Sequence, residues 1–200
     1  MSHTDGTEPD GLAPRWALKR MTDLTHSTLD ERLSALDLAD EGDYRTFLRI
    51  HARALLPIER ALEDAGIAQT DLEWPRRARG SSLTADLRGM STDVPPPLAI
   101  EPIPSDHASL LGVLYVLEGS RLGGALLARR AMQGGDRVRD NMRFLSHGTG
   151  QRLWPSFLHH LDALGTQGNL DRAGTTARMI FALFDRAVSV ETGTQAVPTA

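Results

Sequence analysis

Two groups of residues in this 200-residue sequence have types and spacings that could do chemistry. One is His26 together with Lys19, the only lysine of the chain, which precedes it by seven positions. On a helix these side chains lie two turns apart on one face, where a histidine can ligate a metal and a lysine can pair with a carboxylate. From spacing alone, His26 is either an ordinary hydrogen-bonded histidine or a ligand, and Lys19 is either solvated or part of the same site.

The other group consists of glycines inside a long apolar stretch, residues 108–132. Leucines recur there at helical spacing, which predicts one long buried helix. Its interior glycines are Gly112, Gly119, Gly123 and Gly124. Each costs about 1 kcal/mol relative to alanine, so the four together cost roughly 3–4 kcal/mol. The first three share one face without side chains. Either a neighbouring helix packs tightly against that face, or a planar ligand lies against the main chain.

The composition of the chain narrows the class of protein. With 22 basic and 26 acidic residues the net charge is −4, so nucleic acid is not an expected partner. The chain has no cysteine, which excludes disulfides, thiolate metal ligands and cysteine nucleophiles. No long apolar run marks a signal peptide, and Glu118 and Arg121 interrupt the apolar stretch, so we expect neither a signal peptide nor a membrane span. We therefore expect a single-domain cytoplasmic protein.

Helical periodicity accounts for most of the chain, and no stretch alternates as a strand does. We predict an all-α domain of six or seven helices over residues 15–190, between a disordered leader at 1–14 and a flexible tail at 191–200. Asp43 and Ser105 are the expected N-caps of the second helix and of the glycine helix. Besides the glycine helix at 108–132, the predicted helices cover residues 16–36, 43–65, 81–88, 151–164 and 170–190.

Other polar residues lie in sequence patterns that are less specific for a function. His51 lies on the inward face of the second helix, and we expect it to be a core histidine rather than a second ligand. A cluster of arginines, Arg76, Arg77 and Arg79, could bind a phosphate or a carboxylate. We expect that cluster to form a solvated face instead.

Several segments together resemble one known family. YVLEGSRLGG, residues 115–124, resembles the distal helix of bacterial heme oxygenases, and most closely that of the biliverdin-forming type that serves bacteriophytochromes. LKRMTDLTHSTLDERL, residues 18–33, resembles the proximal helix of that family, in which a threonine four residues before a histidine marks the heme ligand. In this chain those two residues are Thr22 and His26. The segments at 44–62 and 82–90 resemble the same family.

This resemblance implies an all-α fold in which heme lies between the first helix and the glycine helix. His26 would ligate the heme iron. Lys19 matches a position that binds a heme propionate, and Arg178 aligns more loosely with a second such position. The distal wall would be formed by Gly119, Gly123 and Gly124.

At one position the sequence departs from the family pattern. Many members have an aspartate directly after the first distal glycine, and its carboxylate orders the distal water network; this chain has Ser120 there. A serine hydroxyl can donate and accept a hydrogen bond but carries no charge. Two functions therefore stay open. One is turnover, with Gly119, Ser120 and Gly123 as the catalytic residues. The other is a heme-oxygenase-like binding or regulatory protein without turnover.

The implied activity is the cleavage of heme, which would serve as both cofactor and substrate. Molecular oxygen and external electrons would open the ring to biliverdin, carbon monoxide and ferrous iron. A ferredoxin or a flavoprotein reductase would supply the electrons, because the sequence has no nucleotide-binding glycine loop. A bacteriophytochrome would accept the biliverdin. A helical interaction module without heme is a third interpretation, and it requires His26 to be merely structural.

Overall fold

The computed structural model describes residues 13–193, and this part of the chain consists of helices joined by connections, the longest of which covers residues 90–106. The α-helices are α1 (Pro14–Ser34), α2 (Glu41–Asp64), α3 (Trp74–Arg77), α4 (Gly80–Gly89), α5 (His107–Ala131), α6 (Asp136–Arg139), α7 (Arg143–Ser146), α8 (Leu153–Asp162) and α9 (Gln167–Thr192), and a 3-10 turn covers Ile67–Gln69. The described residues include no strand, so the predicted all-α class is confirmed.

The six predicted helices all occur, and each end lies within three residues of the predicted one. The short helices α3, α6 and α7 were not predicted, because four residues are too few to show a helical repeat. Residues 1–12 of the predicted leader and 194–200 of the predicted tail lie outside the described residues. Pro14 already belongs to α1, and α9 continues to Thr192.

Both expected N-caps are wrong. Asp40, not Asp43, caps α2, and its carboxylate accepts from the backbone N–H groups of residues 42 and 43 at 2.8 and 2.9 Å. Asp106, not Ser105, caps α5, and its carboxylate accepts from the Ser109 N–H at 3.1 Å. In both cases a carboxylate next to the first turn also interacts favourably with the positive end of the helix dipole.

The core forms where α9 packs against α1, α2 and α5. The closest approach is at Gly112 of α5, where an added Cβ would lie 2.3 Å from the carbonyl oxygen of Ala173 on α9. Around this contact, Leu111 and Ile180 are completely buried, and burying such a side chain stabilises the fold by about 1.5–3 kcal/mol. Gly112 thus serves helix packing.

Helix α5 is long and apolar enough to cross a membrane by length and composition alone, so Glu118 and Arg121 do not exclude a span as the sequence argument supposed. In the fold, half of its most apolar window is buried inside the protein. Glu118 is itself buried and forms ion pairs with Arg77 and Arg121. These are properties of the core helix of a folded domain.

Candidate functional site

A cavity of about 540 Å³ lies between α1 and the C-terminal half of α5. The predicted site residues that line it are Lys19, His26, Gly119, Ser120, Gly123 and Gly124. Arg178 is not among the lining residues, and its guanidinium donates to Thr175 Oγ1 on the same helix at 3.3 Å. Helix α9 instead turns Phe181 and Phe184 toward the cavity, so the expected contact between Arg178 and a ligand has no support in this geometry.

His26 lies on the α1 wall with 54% of its side chain exposed. Its Nδ1 is 3.2 Å from Oδ2 of Asp30, one turn further along the helix, and its ring meets the Phe181 ring edge-on, with centroids 5.6 Å apart. When Nδ1–H donates to a carboxylate, Nε2 remains the basic nitrogen that can bind a metal. Sequence reasoning missed Asp30, although its four-residue spacing from His26 is a detectable signal.

The α5 wall of the cavity is bare at its glycines, although side chains such as Tyr115 and Leu127 also line it. A Cβ added to Gly119 or Gly123 would meet no atom within 4 Å, and one added to Gly124 would lie 3.4 Å from the Leu145 carbonyl oxygen. Gly112, which shares their face by sequence periodicity, packs against α9 instead. The helix-packing explanation is therefore correct for Gly112, and the ligand explanation stays a prediction for the C-terminal half of α5. Only the C-terminal half offers a bare surface to a ligand.

Two cations from α1 line the opposite side of the same cavity. Lys19 Nζ is 3.8 Å from Asp23 Oδ1, and the Lys19 side chain is 61% exposed. Arg15, one turn earlier, lies with its guanidinium 4.9 Å from the centre of the Trp16 ring. An ion pair this exposed contributes little to stability, so Lys19 can also interact with an anionic group on a ligand.

His51 lies on the wall formed by α2 and is buried, as the sequence predicted for a core histidine. Its Nδ1 is 2.8 Å from the Phe47 carbonyl oxygen, and its ring centre is 5.1 Å from that of Phe144. Because a carbonyl only accepts, Nδ1 carries the proton and Nε2 is left as an acceptor. Burial lowers the pKa of His51 to about 4, so the ring is neutral at neutral pH.

Arg79, expected on a solvated face, is 5% exposed and lines the cavity. Its Nη2 donates to the Leu117 carbonyl oxygen at 3.3 Å and to Ser120 Oγ. Ser120 Oγ in turn donates to the Leu117 carbonyl at 2.8 Å. Burial, reinforced by the neighbouring Arg121 cation, lowers the pKa of Arg79 to about 9. The expectation of a solvated cluster is wrong for Arg79.

It is also wrong for Arg77, which is buried together with Glu118. Glu118 Oε2 is 3.1 Å from Arg77 Nη1, without hydrogen-bond geometry, and its Oε1 accepts from Arg121 Nε at 3.1 Å. Arg121 reaches His147 Nδ1 at 2.8 Å, so this nitrogen accepts. Burial and the Arg121 cation lower the pKa of His147, another residue of the cavity wall. The three-residue spacing of Glu118 and Arg121 is a local signal, but nothing in the sequence links that pair to Arg77 or His147.

Comparison with known proteins points to bacterial heme oxygenases. The crystal structure of the NO- and CO-bound heme oxygenase from Neisseria meningitidis matches with a TM-score of 0.74 and 25% identity, over 94% of this chain and 96% of that one. This chain has the heme oxygenase fold. A heme oxygenase of Xanthomonas campestris pv. campestris (strain 8004) is 38% identical over 90 residues, which are 45% of this chain. No family model matches.

The resemblance to bacterial heme oxygenases that the motifs indicated is thus confirmed in sequence and in fold. The chain spans about half the length of the curated relative it matches, 53%. The association with bacteriophytochromes stays a prediction.

Proposed function

We propose that this protein is a heme oxygenase, which binds heme and cleaves it with molecular oxygen and electrons to biliverdin, carbon monoxide and ferrous iron. The observation that carries the proposal is the cavity between His26 and the bare backbone at Gly119 and Gly123, in a chain with the heme oxygenase fold. A histidine on one wall and exposed glycine backbone on another would suit a flat macrocycle whose metal is held by a histidine.

The residues around the cavity fit heme. The volume of about 540 Å³ lies within the usual range for ligand and cofactor sites, roughly 300–1,000 Å³. His26 would hold the iron, with Asp30 setting its tautomer. Lys19 and Arg15 would pair with the propionates. Phe181 and other apolar side chains would contact the ring. When bound, heme supplies the iron that activates oxygen and the carbon skeleton that is oxidised.

The protein's own part in the reaction is to orient the ring and to supply protons. His26 would hold the ring from the α1 side, and the backbone of Gly119 and Gly123 would leave room for it beside α5. Around Arg79, Ser120 Oγ accepts from the Arg79 guanidinium, and His51 Nε2 is an acceptor. These donors and acceptors can order water, and proton transfer through positioned groups contributes about 10²–10⁴-fold to a rate.

A second candidate function is a heme-binding or regulatory protein with this fold and no turnover. The observation that favours it is Ser120, where many family members have an aspartate. The Ser120 hydroxyl already donates to the Leu117 carbonyl and accepts from Arg79. It therefore acts as an acceptor held by a cation, not as a charged base.

The proposal includes partners and a compartment. Electrons come from a separate ferredoxin or flavoprotein reductase, and a bacteriophytochrome accepts the biliverdin. The protein works in the cytoplasm. Support for these statements comes from the sequence resemblance and from the burial of α5 within the fold.

Heme titration followed by reduction in air tests the proposal. We expect a Soret band that saturates at one heme per chain, and then biliverdin and carbon monoxide. His26→Ala should abolish the histidine-ligated spectrum and turnover while the melting temperature stays unchanged, because the side chain is half exposed. The exposed His159 offers a matched control, His159→Ala, which should behave as wild type.

The other outcomes would change either the proposed function or the proposed ligand. A Soret band without ring opening supports the binding or regulatory protein. The absence of any Soret band supports the interaction module. An unchanged spectrum in His26→Ala would move the ligand to another residue, with His51 the next candidate.

A further inference from the structure

Asp86 on α4 is a fully buried carboxylate that the proposed reaction does not use. Its Oδ1 accepts from the backbone N–H of Arg143 at 3.1 Å, and its Oδ2 accepts from that of Phe144 at 2.7 Å. Burial raises the pKa of Asp86. Because a carboxylate is costly to bury unless its oxygens are hydrogen-bonded, these two backbone contacts are what allow one in the core.

The two N–H groups belong to the first turn of α7, which needs a partner from outside. This helix has only four residues, and its own N-cap residue, Met142, makes no side-chain capping hydrogen bond. So short a helix is not stable by itself, because fixing the first turn costs more conformational entropy than its few hydrogen bonds offset. Asp86, 57 residues before Arg143 in the sequence, therefore holds α7 in place from another part of the fold.

Helix α7 and the residue that follows it form part of the cavity wall. Three of these residues line the cavity, namely Phe144, Leu145 and His147. The Phe144 ring centre lies 5.1 Å from that of His51, and the Leu145 carbonyl oxygen lies 3.4 Å from the position of a Cβ added to Gly124. Asp86 does not line the cavity. It can therefore act on a ligand only through the position of α7.

A second carboxylate holds α4, the helix that carries Asp86. Glu59 on α2 accepts from the backbone N–H groups of Arg79 and Gly80, at 2.8 and 3.0 Å, where α4 begins. The long helix α2 thus fixes α4 through one carboxylate, and α4 fixes α7 through the other. The two side chains that these contacts place, Arg79 and Phe144, meet at the cavity wall, with Arg79 Cζ 4.7 Å from the centre of the Phe144 ring.

We infer that Asp86 is a positioning residue of the proposed heme site, which fixes α7 and thereby limits how the ring can lie in the cavity. The inference rests on the proposed function, because it concerns the placement of heme. Without the two accepted hydrogen bonds α7 loses its cap, and Phe144 and Leu145 are free to shift. A second ring orientation then becomes accessible, and a different part of the ring is cleaved.

Amide hydrogen exchange in the heme-free protein tests the contact itself. Asp86→Ala removes both acceptor oxygens, so the amides of residues 143–147 should exchange at least about tenfold faster than in wild type. Asp86→Asn keeps one acceptor oxygen and should give a smaller increase. Asp40 offers a matched control, because it caps α2 through two backbone N–H groups, at 2.8 and 2.9 Å, and does not line the cavity. Asp40→Ala should leave the exchange of residues 143–147 unchanged.

Heme dissociation and product analysis test the consequence for the site. The ferric complex of Asp86→Ala should keep the histidine-ligated Soret band, because His26 lies on α1. Heme should dissociate at least about tenfold faster than from wild type, and chromatography should show a changed ratio of biliverdin isomers. Arg143→Gln removes a guanidinium 3.5 Å from Asp86 Oδ1 at a side chain 59% exposed. It leaves both backbone contacts intact and should match wild type.

The isosteric variant keeps the test independent of folding. If Asp86→Ala does not fold, Asp86→Asn carries the same expectations with smaller changes, since it fills the same space. Heme dissociation can be measured whether or not the protein has turnover.

Wild-type exchange at residues 143–147 in the Asp86 variants would overturn the inference, and so would an equal acceleration in Asp40→Ala. Faster exchange with unchanged heme dissociation and an unchanged isomer ratio would also overturn it, because Asp86 would then serve stability alone. Each of these results leaves the proposed function standing. A wild-type protein that binds no heme would overturn both.

Discussion

Helix α5 contains glycines in two settings. In its N-terminal half, Gly112 touches the backbone of Ala173, and an added methyl group would overlap it. In its C-terminal half, Gly119 and Gly123 face open space beside the cavity. One helix thus uses the absence of a side chain first to bring two helices together and then to leave part of a cavity wall bare.

The same contrast divides the molecule into two regions. The packed region is the α5–α9 interface around Gly112, and the cavity region is the space between α1 and the C-terminal half of α5. A substitution in the packed region should change the free energy of unfolding, whereas one in the cavity region should change ligand binding. The predictions below test that division, beginning with the largest expected effect.

Gly112→Ala should destabilise the protein by about 3 kcal/mol, the upper end of the usual cost of overpacking. The new methyl group would lie 2.3 Å from the Ala173 carbonyl oxygen, so the two helices must move apart. Gly123→Ala is the matched control, and it should stabilise the helix by up to about 1 kcal/mol. Chemical denaturation of both variants measures the difference. Equal changes in the free energy of unfolding at the two positions would contradict the division into a packed region and a cavity region.

His51 belongs to both regions, since it packs among aromatic rings and also lines the cavity. Burial lowers its pKa from 6.5 to about 4. Between these values the unfolded chain binds a proton and the folded chain does not. Because of His51, the free energy of unfolding should therefore fall by about 3 kcal/mol as the pH drops from 6.5 to 4. Above pH 6.5 His51 should add no pH dependence.

The variant His51→Asn isolates this effect, because its amide can still donate to the Phe47 carbonyl but does not titrate in this range. Denaturant unfolding at several pH values should give a shallower dependence for the variant than for wild type. If the free energy of unfolding depends on pH identically in the two proteins, His51 is already protonated in the folded protein at these pH values.

Gly123→Leu should separate stability from binding in one variant. Leucine has a higher helix propensity, so the helix should gain roughly 1 kcal/mol. The side chain would also fill the space that we assign to heme, so heme affinity should fall at least about tenfold. Gly168→Leu, where an added Cβ is equally free but outside the cavity, should leave heme affinity unchanged. Normal heme degradation by Gly123→Leu would show that the pocket is misplaced.

Lys19→Ala should give the smallest change in affinity. An exposed charge pair contributes roughly 0.5–1 kcal/mol, so heme should bind only several-fold more weakly. The larger effect should be on ring orientation, because one propionate anchor is lost and a second ring position becomes accessible. Chromatography should then detect a mixture of biliverdin isomers, and Arg20→Ala should still give the wild-type product. A single isomer from Lys19→Ala would assign the anchoring to another cation, with Arg15 the nearest candidate.

Much of this protein was readable from its sequence, because the signals involved are local. The six longer helices follow from apolar periodicity, and the pairing of Lys19 with His26 on one face follows from their spacing. The bare face of α5 follows from its glycines. The functions that we propose for these residues come from the family motifs.

The cavity wall around Arg79 was decided by tertiary structure alone. Arg79, Ser120 and Phe144 lie next to each other although they come from three separate parts of the chain. The sequence favours a solvated arginine cluster because arginines are rarely buried. Arg77 is buried because the Leu72 and Leu153 carbonyl oxygens accept from it. Burial depends on which groups the fold brings together, and the distinction between Gly112 and Gly123 has the same cause: the neighbours of a residue in space, not its type, decide its role.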